Sequence, residues 1–219
     1  TQHIQFENYL RKIVFNQEQR NDFFKQLLKL DAQCVVQDTF KQYFEEYAAE
    51  RKANQQDYTP DEVSKLLSII VNTKYDADFK NDMEKRYFHK KGYTAADITA
   101  GTGSLLIQKW WADMTAELPW TYVPHRYFYF ASELADNVIP YLLCNLALRG
   151  MNAIVVHGDA LTGETKQVYF IQNSKDDYLS FSDINVMPHS KQVTEEFNVT
   201  KWLEEAIDHI ESKKIIFKI

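Results

Sequence analysis

Apolar positions in the first third of the chain recur every three or four residues. Phe6, Tyr9, Leu10, Ile13 and Val14 form one set, Phe23, Phe24, Leu27, Leu28 and Leu30 a second, and Phe40, Tyr43, Phe44 and Tyr47 a third. That spacing lines up one face of a helix, so the chain is expected to open with a helical layer. Glycine is absent before Gly92, which suits helices. After the polar run 50–57 another helix is expected, with Thr59 as its N-cap, Pro60 in its first turn, and Val63, Leu66, Leu67, Ile69 and Ile70 on its apolar face. These changes divide the chain into an N-terminal helical region, 1–57, and a second domain, 58–219.

Beyond Lys91 the pattern alternates. A strand is expected over 94–98, then a glycine turn and a helix from Ser104 carrying Leu105, Leu106, Ile107, Trp110 and Trp111. An aromatic strand over 126–132 leads to a helix over 137–149, with Pro140 near its start and Gly150 behind it. Strands follow over 153–156 and 167–172, then a helix over 199–210 built on Trp202, Leu203, Ala206, Ile207 and Ile210, and a strand-like end over 214–219. Strands alternating with helices predict an α/β fold with a parallel sheet, the carboxyl ends of its strands along one edge. Ile215, Ile216 and Phe217 would leave an exposed edge strand, for which a homodimer or a partner subunit is the expected cover.

Composition narrows the reading further. With 45% hydrophobic and 26% charged residues the chain is ordinary globular material, and its 14% aromatic content is expected to fill a core. A formal net charge of -6 provides no basic face for a polyanion, and Lys85-Arg86, Lys90-Lys91 and Lys213-Lys214 are only local clusters. Any contact with DNA is therefore expected to need a partner. Cys34 and Cys144 have no metal-binding or disulfide spacing, no run reaches the length of a membrane span, and the first residues lack a signal-peptide pattern. A soluble, cytoplasmic protein without a metal site is the expectation.

The candidate chemistry lies at three strand ends. Asp97-Ile98-Thr99-Ala100-Gly101-Thr102-Gly103 puts an acid before a turn whose glycines let a ligand approach the backbone, at the positive end of a following helix. Ser132-Glu133-Leu134 ends the next strand with an acid able to accept from ribose hydroxyls. His157-Gly158-Asp159-Ala160-Leu161 ends the third, where an acid can accept from an adenine amino group. A nicotinamide dinucleotide would call for a third glycine, but Leu106 stands there. An acid beside the turn better suits the cationic amino group of S-adenosyl-L-methionine.

Asp97-Ile98-Thr99-Ala100-Gly101-Thr102-Gly103-Ser104-Leu105-Leu106 resembles the D-P-[TA]-A-G-T-G-[SG]-[FL]-L signature of adenine-N6 DNA methyltransferases. Among these the resemblance is closest to the modification subunits of type I restriction-modification systems. Gln56-Asp57-Tyr58-Thr59-Pro60 is similar to the family segment beside the methionine moiety, Ser132-Glu133-Leu134 to its ribose motif, and Gly158-Asp159-Ala160-Leu161 to its adenine motif. The resemblance covers about 56–161, in family order. It implies a Rossmann-like class I methyltransferase core with a largely parallel sheet behind a helical N-terminal region. It also implies that Tyr58, Thr59, Pro60, Asp97, Ala100, Gly101, Gly103, Glu133, Leu134, Asp159 and Ala160 hold S-adenosyl-L-methionine, and that DNA is reached through a specificity or other partner subunit.

The family's catalytic [DNS]-P-P-[YFW] motif is degraded here. Asn173, after the expected fourth strand, takes its first position without the two prolines or the aromatic residue, and Asn185-Val186-Met187-Pro188-His189 is read as a loop. Two further readings follow. One is a catalytically inactive, methyltransferase-like interaction or regulatory protein of a phage or mobile element. The other is methylation of a different substrate, with Asp176 or Asp177 as base.

Overall fold

The computed structural model describes residues 2–40, 93–116 and 118–215. Tyr58, Thr59 and Pro60, the helix expected after them, the basic clusters near residues 85–91, and residues 216–219 lie outside that description.

Helices α1 (Gln2–Ile13) and α2 (Gln17–Leu30) form as the periodicity predicts. Asn16 starts α2 by accepting the amide of Gln19 at 3.1 Å. Leu10, Ile13, Val14 and Phe24 are buried in the same core as the sheet. The helical layer is thus one wall of the fold.

Strand β1 (Ala95–Asp97), helix α3 (Ser104–Thr115), strand β2 (Tyr129–Glu133), helix α4 (Ile139–Leu148) and strand β3 (Ala153–Gly158) follow in turn. The three strands are parallel, with Asp97 opposite Ala131 and Glu133 opposite His157. Every residue of α4 is buried. This fits a helix apolar around its circumference, packed between the sheet on one side and α1 and α2 on the other.

The sheet departs from the parallel expectation at β4 (Glu164–Gln172), which runs antiparallel to β3. Residues 159–163 join the two strands, and a parallel crossover needs a dozen or more. A hairpin is what that length permits. Strand β5 (Asp183–Val186) is antiparallel to β4 and therefore runs with β1, β2 and β3. The segment expected to be a loop, Asn185 to His189, thus contains the end of a strand. After the short helix α5 (Lys191–Glu196), β6 (Lys201–Trp202) lies parallel to the start of β4. The order is β1-β2-β3-β4-β5, with β6 joined to β4. The chain is an α/β protein with a mixed open sheet.

The helix expected over 199–210 does not form. Past β6 the chain continues without regular structure to 215. Side-chain amides hold its backbone: Gln167 Nε2 donates to the Glu205 carbonyl at 2.6 Å, and Gln172 Nε2 to that of Lys214 at 2.8 Å. Asn185 Oδ1 accepts the amides of Glu211 and Ser212 at 3.0 and 2.9 Å, and the Val186 amide donates to the His209 carbonyl at 2.8 Å. These bonds lay the segment along the outer edge of β5.

A buried ion pair ties this segment to the helical layer. Arg20, fully buried, grips Glu211 through Nη1 to Oε1 at 2.7 Å and Nη2 to Oε2 at 2.6 Å. Glu211 Oε2 also accepts the Ile184 amide at 2.8 Å. Removing one partner strands a buried charge, so Glu211→Ala is expected to lower the unfolding free energy by about 3–5 kcal/mol in urea melts. The paired apolar replacement Arg20→Met with Glu211→Leu is expected to recover most of that loss.

Candidate functional site

The carboxyl ends of β1, β2 and β3 share one edge, and the glycine turn rises from it. Gly101 and Gly103 adopt φ of 53° and 95°, the left-handed region that glycine enters without steric cost. The two differ in surroundings. A Cβ on Gly103 would meet Leu142 Cδ1 at 2.9 Å, whereas one on Gly101 would meet nothing within 4 Å. Gly103 therefore lets α3 pack on α4, and Gly101 fronts open space.

The turn is fastened from below. The Ala100 amide donates to the Ser132 carbonyl at 2.9 Å, and the Gly103 amide to that of Ala100 at 2.8 Å. Thr102 Oγ1 donates to the buried carboxylate of Asp38, which also accepts from Asn145 Nδ2 at 2.8 Å. Asn145 Nδ2 further meets the Thr102 carbonyl at 2.8 Å. Four residues on, at the C-cap of α4, Arg149 donates to the carbonyls of Cys34, Val35 and Gln37 at 3.1, 2.9 and 2.5 Å. Burial pushes its guanidinium down to about 10.

Asp97 and Glu133 come together here. Strand side chains alternate, so the register places Asp97, Glu133 and His157 on one sheet face. Asp97 is half-buried, and burial pushes its carboxyl above the usual range; its Oδ1 accepts the Thr99 amide at 3.1 Å. Glu133 Oε2 accepts the Gly101 amide and Oε1 that of Ala135, each at 2.8 Å. Ala100 is buried beneath the turn, and Leu134 stands 59% exposed at the tip of β2.

Asp159 reaches the same edge in a different role. Its Oδ1 accepts the amides of Leu161 at 2.8 Å and Thr162 at 3.4 Å, bonds that hold its carboxyl below the usual range and close the β3–β4 hairpin. Ala160 and Leu161 form the exposed tip. As the hairpin's capping residue, Asp159 has its side chain committed to the turn.

Asn173 does not join the group. It follows β4, whose reversed direction carries it to the opposite edge of the sheet. There its Nδ2 donates to the carbonyls of Gly150 and Asp177 at 3.0 and 2.8 Å, so its amide is a structural tie. The two candidate bases beside it are also occupied. Asp176 lies 2.6 Å from His125 Nδ1, and Asp177 accepts the Leu179 amide at 3.0 Å. His189, leaving β5 at the glycine-turn edge, stacks on Trp202 at 3.6 Å between ring centroids.

A cluster that sequence reasoning missed lies beside Glu133. His157 Nε2 is 2.7 Å from Asp136 Oδ1, which Lys166 Nζ also reaches at 2.5 Å. Burial pushes His157 below its usual range, against the pull of Asp136. Both cysteine thiols are pushed up by burial, Cys144 to about 12. Among the described residues no group of His, Cys, Asp and Glu is arranged to hold a metal, and no helix is long and apolar enough to cross a membrane.

No protein-family model, curated protein or solved structure matches the chain.

The contrast between the two glycines is testable. Gly103→Ala adds left-handed strain and a clash, and is expected to cost about 1–3 kcal/mol in denaturant melts. Gly101→Ala is expected to cost no more than the strain, about 1 kcal/mol.

Proposed function

We propose that this α/β domain binds S-adenosyl-L-methionine at the carboxyl edge of β1 and β2. The open approach at Gly101, with the Asp97 and Glu133 carboxylates on the sheet face beside it, carries the reading. The order β3-β2-β1, with a helix after each of the first two strands, is also the order of the first mononucleotide-binding half of a dinucleotide fold.

The residues present fit the cofactor. Asp97 lies in surroundings that penalise its charge, which a cationic amino group would relieve. Glu133 accepts one amide on each oxygen and keeps a lone pair on each for ribose hydroxyls. Leu134 offers an exposed apolar side chain to the adenine. Bound there, the cofactor supplies an activated methyl group.

The non-catalytic reading draws on a specific observation. Asn173, the one candidate for the family's catalytic position, is tied into the opposite edge. We therefore propose a cofactor-binding protein related to the adenine-N6 methyltransferases of restriction-modification systems, acting through protein contacts, with any DNA brought by a partner subunit.

Calorimetry with S-adenosyl-L-methionine tests the binding. A saturable heat is expected, weakened by roughly 1–3 kcal/mol in Glu133→Ala and lost in Gly101→Ala although that variant stays folded. Unchanged affinity in both would remove the site. With tritiated cofactor, no label is expected in DNA incubated with the chain alone, and transfer that persists in Asn173→Ala would show a catalytic group elsewhere.

A further inference from the structure

A cavity of about 250 Å³ opens on the sheet face that carries His157, between α1, the start of α4 and the 204–207 segment. Its inner wall is apolar, formed by Val14, Phe15, Ile139 and Leu143, and Ile207, 39% exposed, stands at the mouth. An apolar cavity of about 150 Å³ accommodates benzene, so this one has room for a ring and a short chain. Phe15 and Tyr169 stack at 6.0 Å, offering aromatic surface at the wall.

The polar rim is rich in acceptors. Arg11 is held by Glu7 at 2.8 Å and by the Asp136 carbonyl at 2.6 Å. Lys166 lies between Asp136, at 2.5 Å, and Glu204, at 3.7 Å. Of the charged side chains that line the cavity, Asp136 and Glu204 are acidic and Arg11 is basic, one negative charge in excess with His157 counted as uncharged. Asp136 and Glu204 are 57% and 51% exposed at the mouth.

A second observation points into the same space. Tyr169, only 3% exposed, lines the cavity, and among the described residues its hydroxyl has no hydrogen-bond partner. The hydroxyl is reached from the cavity rather than sealed in protein, so a group in the cavity can pair with it. His157, 7% exposed, lines it as well.

We propose that this cavity binds a small organic cation, an ammonium group carried on a short apolar or aromatic body. The ammonium meets the Glu204 and Asp136 carboxylates and the Tyr169 hydroxyl at the rim, and the body lies against Phe15, Leu143 and Ile207. An anion would meet the excess negative charge. A neutral isostere would fill the space without pairing it. The proposal does not depend on cofactor binding at the glycine turn.

Phenethylamine is the probe, with 2-phenylethanol and phenylacetate as neutral and anionic counterparts of similar size, each titrated by calorimetry. Saturable binding of the amine is expected, about tenfold tighter than either counterpart, as for a hydrogen bond to a charged group. Glu204→Gln and Tyr169→Phe are each expected to weaken the amine about three- to tenfold. Ile207→Trp, which fills the half-exposed mouth, is expected to abolish its binding while the thermal melt stays that of a folded protein. Absence of saturable amine binding, equal affinity for amine and alcohol, or binding indifferent to Ile207→Trp would overturn the proposal.

Discussion

Asp38 is a carboxylate buried among groups that all donate to it, and the geometry of the glycine turn depends on that arrangement. It accepts from Thr102 in the turn, from Asn145 on α4 and from the Phe40 amide. A buried carboxylate is tolerable only when its oxygens are paired and a counter-charge is near. Arg149 supplies that charge and ties the carbonyls of the 34–37 stretch to α4. The helical layer, the central helix and the turn are thereby one polar unit inside an apolar core. Loosening any member leaves the others unpaired in a low-dielectric interior, so the open face at Gly101 is presented in a fixed orientation.

Much of the fold was legible because its signals are local. Gly101 and Gly103 have no side chain to resist a left-handed turn, and the turn with α3 behind it appeared where their spacing placed it. The helices of the first 30 residues followed the same logic. The misread elements depend on contacts distant in sequence. Trp202, Leu203, Ala206, Ile207 and Ile210 have helical spacing, yet Gln167, Gln172 and Asn185 capture the backbone of 205–214 in an irregular course. The direction of β4 was readable from its short connection, a length that the alternating pattern overshadowed.

The candidate site was legible to the same extent. Asp97 and Glu133 are strand-end acids, and parallel register brought them side by side. Asp159 shares their edge but caps a hairpin, a role that Gly-Asp after a strand signals equally well. His157 and Asp136 lie 21 positions apart (157 minus 136), with no periodicity linking them. Only the pairing of β2 with β3 brings that loop over that strand. Tyr58, Thr59 and Pro60 lie outside the described residues, and their role is an expectation from the sequence alone.

The 203–215 segment gives the sheet a direction. On the β5 side it occupies the backbone groups that would recruit another strand. On the β1 side, among the described residues, no strand is paired. At Ile184 and Val186 the outward amides of β5 are taken by Glu211 and His209, so the β5 flank has no free donor there to offer a visiting strand.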